Sequence, residues 1–183
     1  MARTLPHNNE AEAAILGGIL LRGQQALNDV LDIVREDDFY NTAHQAIFKA
    51  MKALDERREP IDVVTLEAQL RNVGELKVAG GLEGLNKLGD RYATSQNIVH
   101  HAELVRRASM VRNLVITARE VADEGMDELE NPNEFIDQAE KRIMAVNERG
   151  RRTAYQSSAE LLKQIFVTIT ERAKRQNPIT GVP

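Results

Sequence analysis

His100 and His101 stand side by side, and paired histidines are the first residues of this sequence to suggest metal chemistry. The surrounding residues have helical character, and on a helix sequence neighbours point in different directions. They cannot close on one ion as an i, i+4 pair does, and they read as ordinary polar or interface residues. Phosphate chemistry needs G-x-x-x-x-G-K-[ST], which sets backbone amides and a lysine around the phosphates. The glycine-rich stretch AGGLEGL (79–85) has no Lys-Ser/Thr at the required offset. G-x-G-x-x-G, G-x-S-x-G and H-E-x-x-H do not occur, and with no cysteine there is no thiolate ligand, disulfide or Cys nucleophile. Asp29, Asp32, Asp37 and Asp38 are scattered acids that read as caps or surface groups. No catalytic, cofactor-binding or metal-binding residue is assigned, and catalysis by these 183 residues is not expected.

If the chain does no chemistry, its elements must serve assembly or recognition. A 42% hydrophobic content can fill a core, and aromatic scarcity leaves it to Leu, Ile, Val, Ala and Met, a composition that favours helices. The N-terminus lacks a signal-peptide pattern and no apolar run is long enough to span a bilayer, so a cytoplasmic location is expected. Residues 141–183 carry nine Lys/Arg against three Glu, or +6, which leaves −10 for the first 140 residues of a chain whose net charge is −4. That basic end either complements helix dipoles or meets an acidic neighbour or nucleic acid.

Helix signals follow one another along the chain. Asn9 and Glu12 have capping-box spacing, with Ile15, Leu16, Ile19 and Leu20 behind them at helical period. Gly17-Gly18 inside that helix costs about 1 kcal/mol per Gly relative to Ala, and close approach of another helix is the expected compensation. Leu27, Val30, Leu31 and Val34 mark a second short helix. Thr42 and Gln45 form another capping-box spacing ahead of the stripe Ala46, Ile47, Ala50, Met51 and Leu54. Asp62 is placed to cap a short helix that ends at Gly74, and a glycine turn leads into one more helix before residue 93.

From Thr94 some thirty residues run without Pro or Gly until Gly125. Leu104, Ala108, Val111, Val115, Ala118 and Ala122 step by three and four, a heptad-like seam. Asn131-Pro132-Asn133-Glu134 then opens a second striped helix with Phe135, Ile136, Ala139, Ile143 and Val146. Two such helices around a short loop predict an antiparallel hairpin. Met110, Leu114 and Ile116 cannot all face one partner helix, so the hairpin either lies across the preceding bundle or pairs with a second copy, and self-pairing is favoured. GRRTAYQSS reads as a linker, followed by an isolated amphipathic helix whose Leu161, Leu162, Ile165, Phe166 and Ile169 have no evident partner. The ending RQNPITGVP reads as a stretch that leads from one element into another.

Several segments, in order, resemble the N-terminal region of bacterial DnaB-type replicative DNA helicases: LPHNNEAEAAILGGILL (5–21), EDDFYNTAHQAIFKAMKAL (36–54), PIDVVTLEAQL (60–70), the Gly80-Gly81 segment, SQNIVHHAELV (95–105), EKRIMAV (140–146) and ITGVP (179–183). The most specific are E-A-E-x-x-I-L-G-G, D-F-Y-x-x-A-H-x-x-I-F-x-A-M and I-T-G-V-P. The family often has an aromatic near Gly84 and Tyr at positions 100–101, where this chain departs from it. The resemblance implies an all-α fold: a small globular helical head (1–93), a long antiparallel helical hairpin for dimerisation (94–150), and a linker with a separate docking helix (151–183) before a RecA-like ATPase domain. It also implies a non-catalytic collar on a hexameric, ATP-dependent helicase, with ATP and Mg held by the motor domain and no cofactor in these residues. The partners implied are the chain itself, as a dimer and a trimer of dimers, a DnaG-type primase, the neighbouring subunit's RecA-like domain and a helicase loader.

The expected self-association residues are Val111, Leu114, Val115, Ala118, Ala122, Ile136, Ala139 and Ile143. Met126, Leu129 and Phe135 are the expected primase contacts, and Leu161, Leu162, Ile165, Phe166 and Ile169 the docking face of the linker helix. The alternative is a helical module that binds nucleic acid through Arg106, Arg107, Arg112 and the basic C-terminal part. Sparse aromatics, which leave little for base stacking, and an acidic body both weigh against it.

Overall fold

The structure, a computed structural model, describes residues 4–92, 97–127 and 131–146. These residues fall within one compact unit, Met1–Val146; the expected linker helix with Leu161, Leu162, Ile165, Phe166 and Ile169 lies outside the described residues. Among the described residues every regular element is helical. They are α1 (Asn9–Arg22), α2 (Gln24–Leu31), a 3-10 turn (Glu36–Asp38), α3 (Thr42–Glu56), α4 (Val63–Asn72), α5 (Gly81–Tyr92), α6 (Ile98–Glu124) and α7 (132–146).

The α1 helix is the centre of the head and packs most heavily on α5 and α6. Its Ile15, Leu16 and Ile19 are fully enclosed together with Phe39, Phe48, Met51 and Leu70. A Cβ built on Gly18 would stand 3.1 Å from Ile98 Cδ1 of α6. The glycine therefore admits the neighbouring helix, as the sequence led one to expect. Gly18→Val is expected to cost about 1–3 kcal/mol by overpacking, measured by urea unfolding; an unchanged midpoint would show that Ile98 can move away.

The α3 stripe of Ala46, Ile47, Ala50, Met51 and Leu54 is buried along its whole length. Asp62 caps α4 by accepting from Val64 and Thr65 N–H, and Gly74 leaves the helix at φ +75°. Two other caps sit one residue earlier than their capping-box spacings suggest. Asn8, not Asn9, accepts from Ala11 N–H at 3.0 Å, and Asn41, not Thr42, accepts from Ala43 N–H at 2.9 Å. Glu12 and Gln45 are thereby released from capping; Gln45 donates instead to Phe39 O at 2.7 Å.

The α6 helix belongs to the head over its first half. Ile98, Ala102, Val105, Ser109 and Arg112, stepping by four, three, four and three, are its buried face. This stripe lies beside the Leu104–Ala122 seam, of which Leu104 alone packs against the core. Beyond Arg112 none of the described α6 residues is buried.

Candidate functional site

A carboxylate inside a helical core is costly unless its oxygens are saturated with donors. Glu12, at 1% exposure, meets that condition. Its Oε1 accepts Tyr40 N–H at 2.7 Å, and its Oε2 accepts Asn41 N–H at 3.2 Å and the His44 Nδ1 proton at 2.8 Å. Both backbone donors lie in the extended segment between the 3-10 turn and α3, where the N–H groups have no helical acceptor. Glu12 thus pins the entry of α3 to α1 and joins the two longest motifs of the sequence, EAEAAILGG and DFYNTAHQAIFKAM.

A second buried charge sits nearby. Arg112 of α6 is 6% exposed and donates from Nη1 to Pro6 O at 3.0 Å and from Nη2 to Asp38 O at 2.8 Å. Its guanidinium carbon stands 5.6 Å from the Tyr40 ring centroid, and His7 stacks on that ring at 4.3 Å and 16°. The 3-10 turn that presents Asp38 is held to α3 by Lys52 Nζ on Glu36 Oε2 at 2.9 Å. The lysine hydrogen bond keeps the Glu36 carboxyl below its ordinary range.

These contacts weigh further against the alternative in which Arg106, Arg107 and Arg112 form a cationic face for nucleic acid. Arg112 is enclosed and spends its donors on carbonyls of the same chain. Arg106 donates to Ile33 O at 3.1 Å, and Arg107 is exposed but stands 3.7 Å from Glu103. A guanidinium committed to internal carbonyls is not available to release counterions from phosphates. The histidine pair stands with ring centroids 6.3 Å apart at 54°; burial, then the neighbouring His100, lowers the pKa of His101. No group of three or more His, Asp or Glu among the described residues is placed to hold a metal.

The residues expected to mediate self-association are brought to the surface. Leu114 is 44% exposed and Ile136 54%, with Val111 and Ile143 also exposed and Val115 and Ala139 half-buried. Ala118 and Ala122 are exposed, and Met110, Ile116 and Met144 extend the apolar surface. The start of α7 and its Arg142 lie close to the end of α6. Arg142 Nη1 bridges both oxygens of Glu124 at 2.6 and 2.7 Å, and a Cβ on Gly125 would lie 3.2 Å from Phe135 Cζ. Near this end Met126 is 86% exposed and Phe135 half-buried, while Leu129 lies outside the described residues.

A family model described as the DnaB-like helicase N-terminal domain matches residues 4–107. The replicative DNA helicase DnaC of Bacillus subtilis (strain 168) is 35% identical over 181 residues, covering 99% of this chain and 40% of that protein. The replicative DNA helicase DnaB of Geobacillus stearothermophilus is 34% identical over the same shares. The chain therefore spans about two fifths of the length of these relatives. The crystal structure of the N-terminal domain of DnaB helicase from Mycobacterium tuberculosis superposes with a TM-score of 0.74 at 34% identity, covering 78% of this chain and 99% of that one. A structure of a DnaB-like replicative helicase and its interactions with primase gives a TM-score of 0.61 at 22% identity over 96% of this chain and 37% of that one, a likeness of fold.

Proposed function

The chain belongs to the DnaB-like helicase N-terminal domain family, and on that premise we propose that it is a non-catalytic collar module that assembles a helicase ring and recruits primase. The observation that carries the reading is the exposed apolar surface of the distal half of α6 and of α7, where Leu114, Ile136 and Ile143 are 44%, 54% and 42% exposed. Exposed aliphatic side chains give up the roughly 25 cal/mol per Å² that burial would return. Pairing of two copies across a twofold axis buries such a surface on both sides at once.

In this proposal the head is residues 1–93, the unit is a dimer formed through an antiparallel hairpin (94–150), and three dimers make the collar. ATP-driven unwinding belongs to a RecA-like motor domain beyond these residues, where ATP and Mg act, and the 151–183 helix docks on a neighbouring subunit's motor. A helicase loader is a further partner. The cell compartment is the cytoplasm, and among the described residues no helix is long and apolar enough to cross a membrane. Primase enters through the family: one protein of the same fold is described with it. The exposed Met126, with Leu129 and Phe135, is the proposed contact.

The test is molar mass by light scattering behind gel filtration over a hundredfold range of loading concentration. A dimer or hexamer supports the reading, and a monomer throughout overturns it. A DnaG-type primase helicase-binding domain titrated onto the chain is expected to bind. Met126→Asp is expected to weaken that binding by about 1–2 kcal/mol, more than a near-neutral rim contact and less than a hot spot; equal affinities would move the primase site elsewhere.

A further inference from the structure

The α6 helix is one continuous rod of 27 residues whose buried stripe stops at Arg112. From there to Glu124 the helix runs about 18 Å at 1.5 Å per residue. A rigid rod takes its direction from its last fixed points, so a small displacement at Arg112 is magnified at the tip.

Arg112 is fixed from two sides that differ in kind. One is the 3-10 turn, itself tied to the core by Lys52 on Glu36 and by Tyr40 N–H on Glu12. The other is the N-terminal segment ahead of α1. Pro6 O accepts from Arg112 Nη1, and His7 lies flat on the Tyr40 ring with its own Nδ1 2.7 Å from Leu5 O. Leu5, Pro6, His7 and Asn8 are each only partly buried. Asn8 caps α1 through its side chain, so the helix keeps its cap when the residues before it leave.

We infer that residues 4–7 are a removable strap that, through Arg112, sets the angle at which the distal part of α6 leaves the head. With the strap seated, the guanidinium is held between Pro6 O and Asp38 O. With the strap gone, Nη1 loses its acceptor and Tyr40 its stacking partner, while the Asp38 bond and the apolar stripe keep α6 attached. The rod, held at its last fixed point from one side instead of two, can then tilt on its remaining anchors with the head intact. Whatever grips the N-terminal segment thereby controls the direction of the apolar surface that α6 presents.

The chain has no cysteine, so two introduced ones carry spin labels cleanly. Val64→Cys on the head and Met126→Cys at the tip are both at exposed positions. Electron-spin distance distributions are measured in the full chain, with labelled protein diluted into excess unlabelled protein so that only intrachain distances are read. Deleting residues 2–7 is expected to broaden and shift the distribution while helical ellipticity at 222 nm is retained. Arg112→Lys, which keeps the charge but loses the fork that spans two carbonyls, is expected to broaden it as well. An unchanged distribution in the deletion overturns the inference. So does loss of helical ellipticity in the deletion, because the segment is then part of the core rather than a strap. Broadening in the deletion but not in Arg112→Lys removes Arg112 from the mechanism and overturns the inference as stated.

Discussion

Glu12→Ala is expected to lower the unfolding free energy by about 3–5 kcal/mol, because three donors lose their shared buried acceptor. The substitution takes away few apolar contacts. What it leaves behind is costly: the N–H groups of Tyr40 and Asn41 and the ring N–H of His44, all aimed at an empty volume. A buried donor without an acceptor costs about 1–3 kcal/mol, and water that enters the space relieves part of it. For a chain of this size 1 kcal/mol shifts the thermal midpoint by about 2–4 °C, so the midpoint is expected to fall by roughly 10 °C. Melting followed by circular dichroism, at one fixed protein concentration because assembly contributes to apparent stability, gives the value. Glu12→Gln retains an oxygen for one donor but turns an NH₂ toward the others, and is expected to recover less than half of the loss. A double-mutant cycle with His44→Ala separates the side-chain pair from the two backbone bonds. A Glu12→Ala loss below about 1 kcal/mol, within the range of ordinary surface changes, would mean that the hub does not organise the α1–α3 junction.

The same carboxylate shows where the sequence is legible and where it is not. Asn9 and Glu12 satisfy the capping-box spacing, and the helix does begin there. Yet its cap is Asn8, because Glu12 is claimed by donors 28 to 32 residues away. A local spacing rule cannot see a tertiary competitor. Features decided within one or two turns were readable: the buried stripe of α3, the Asp62 cap, and the start of α7, where Glu134 N–H reaches Asn131 Oδ1 at 3.3 Å. The packing of Gly18 against α6 was also readable, since a glycine inside a good helix is explained by whatever comes close to it.

Arg112 shows the same limit at longer range. Three arginines within seven residues left a cationic face open as the alternative, whereas the acceptors of Arg112 are carbonyls 74 and 106 positions away. A signal was present nonetheless. Arg112 continues the 98, 102, 105, 109 series, whose other members are apolar or small, so helical phase alone placed it on the buried face. The seam through Val111, Val115 and Ala118 lies beside that series, and two stripes on one helix are what a rod needs to serve a head over one half and another partner over the other.

The other large effect is expected from Leu114→Glu, which should dissociate the assembly with little change in the fold. Leu114 is 44% exposed and follows the last buried position of α6 by two residues, so a carboxylate there is solvated in the isolated chain. In a twofold pair the position occurs on both copies, and each substitution counts twice. Burying two carboxylates without partners costs several kcal/mol after relaxation, and every 1.4 kcal/mol is a factor of ten in affinity. The dimer constant is therefore expected to weaken by at least about 10³-fold, enough to turn a dimer into a monomer at micromolar loading. Val64→Glu, at an exposed head position, tests whether added charge alone disperses the chain, and its mass is expected to match the parent's. If Leu114→Glu keeps the parent mass while Ile136→Glu on α7 lowers it, the contact runs along α7 and the α6 seam is incidental. If neither lowers it, the apolar surface of α6 and α7 is not what holds the copies together, and the collar reading loses the observation on which it rests.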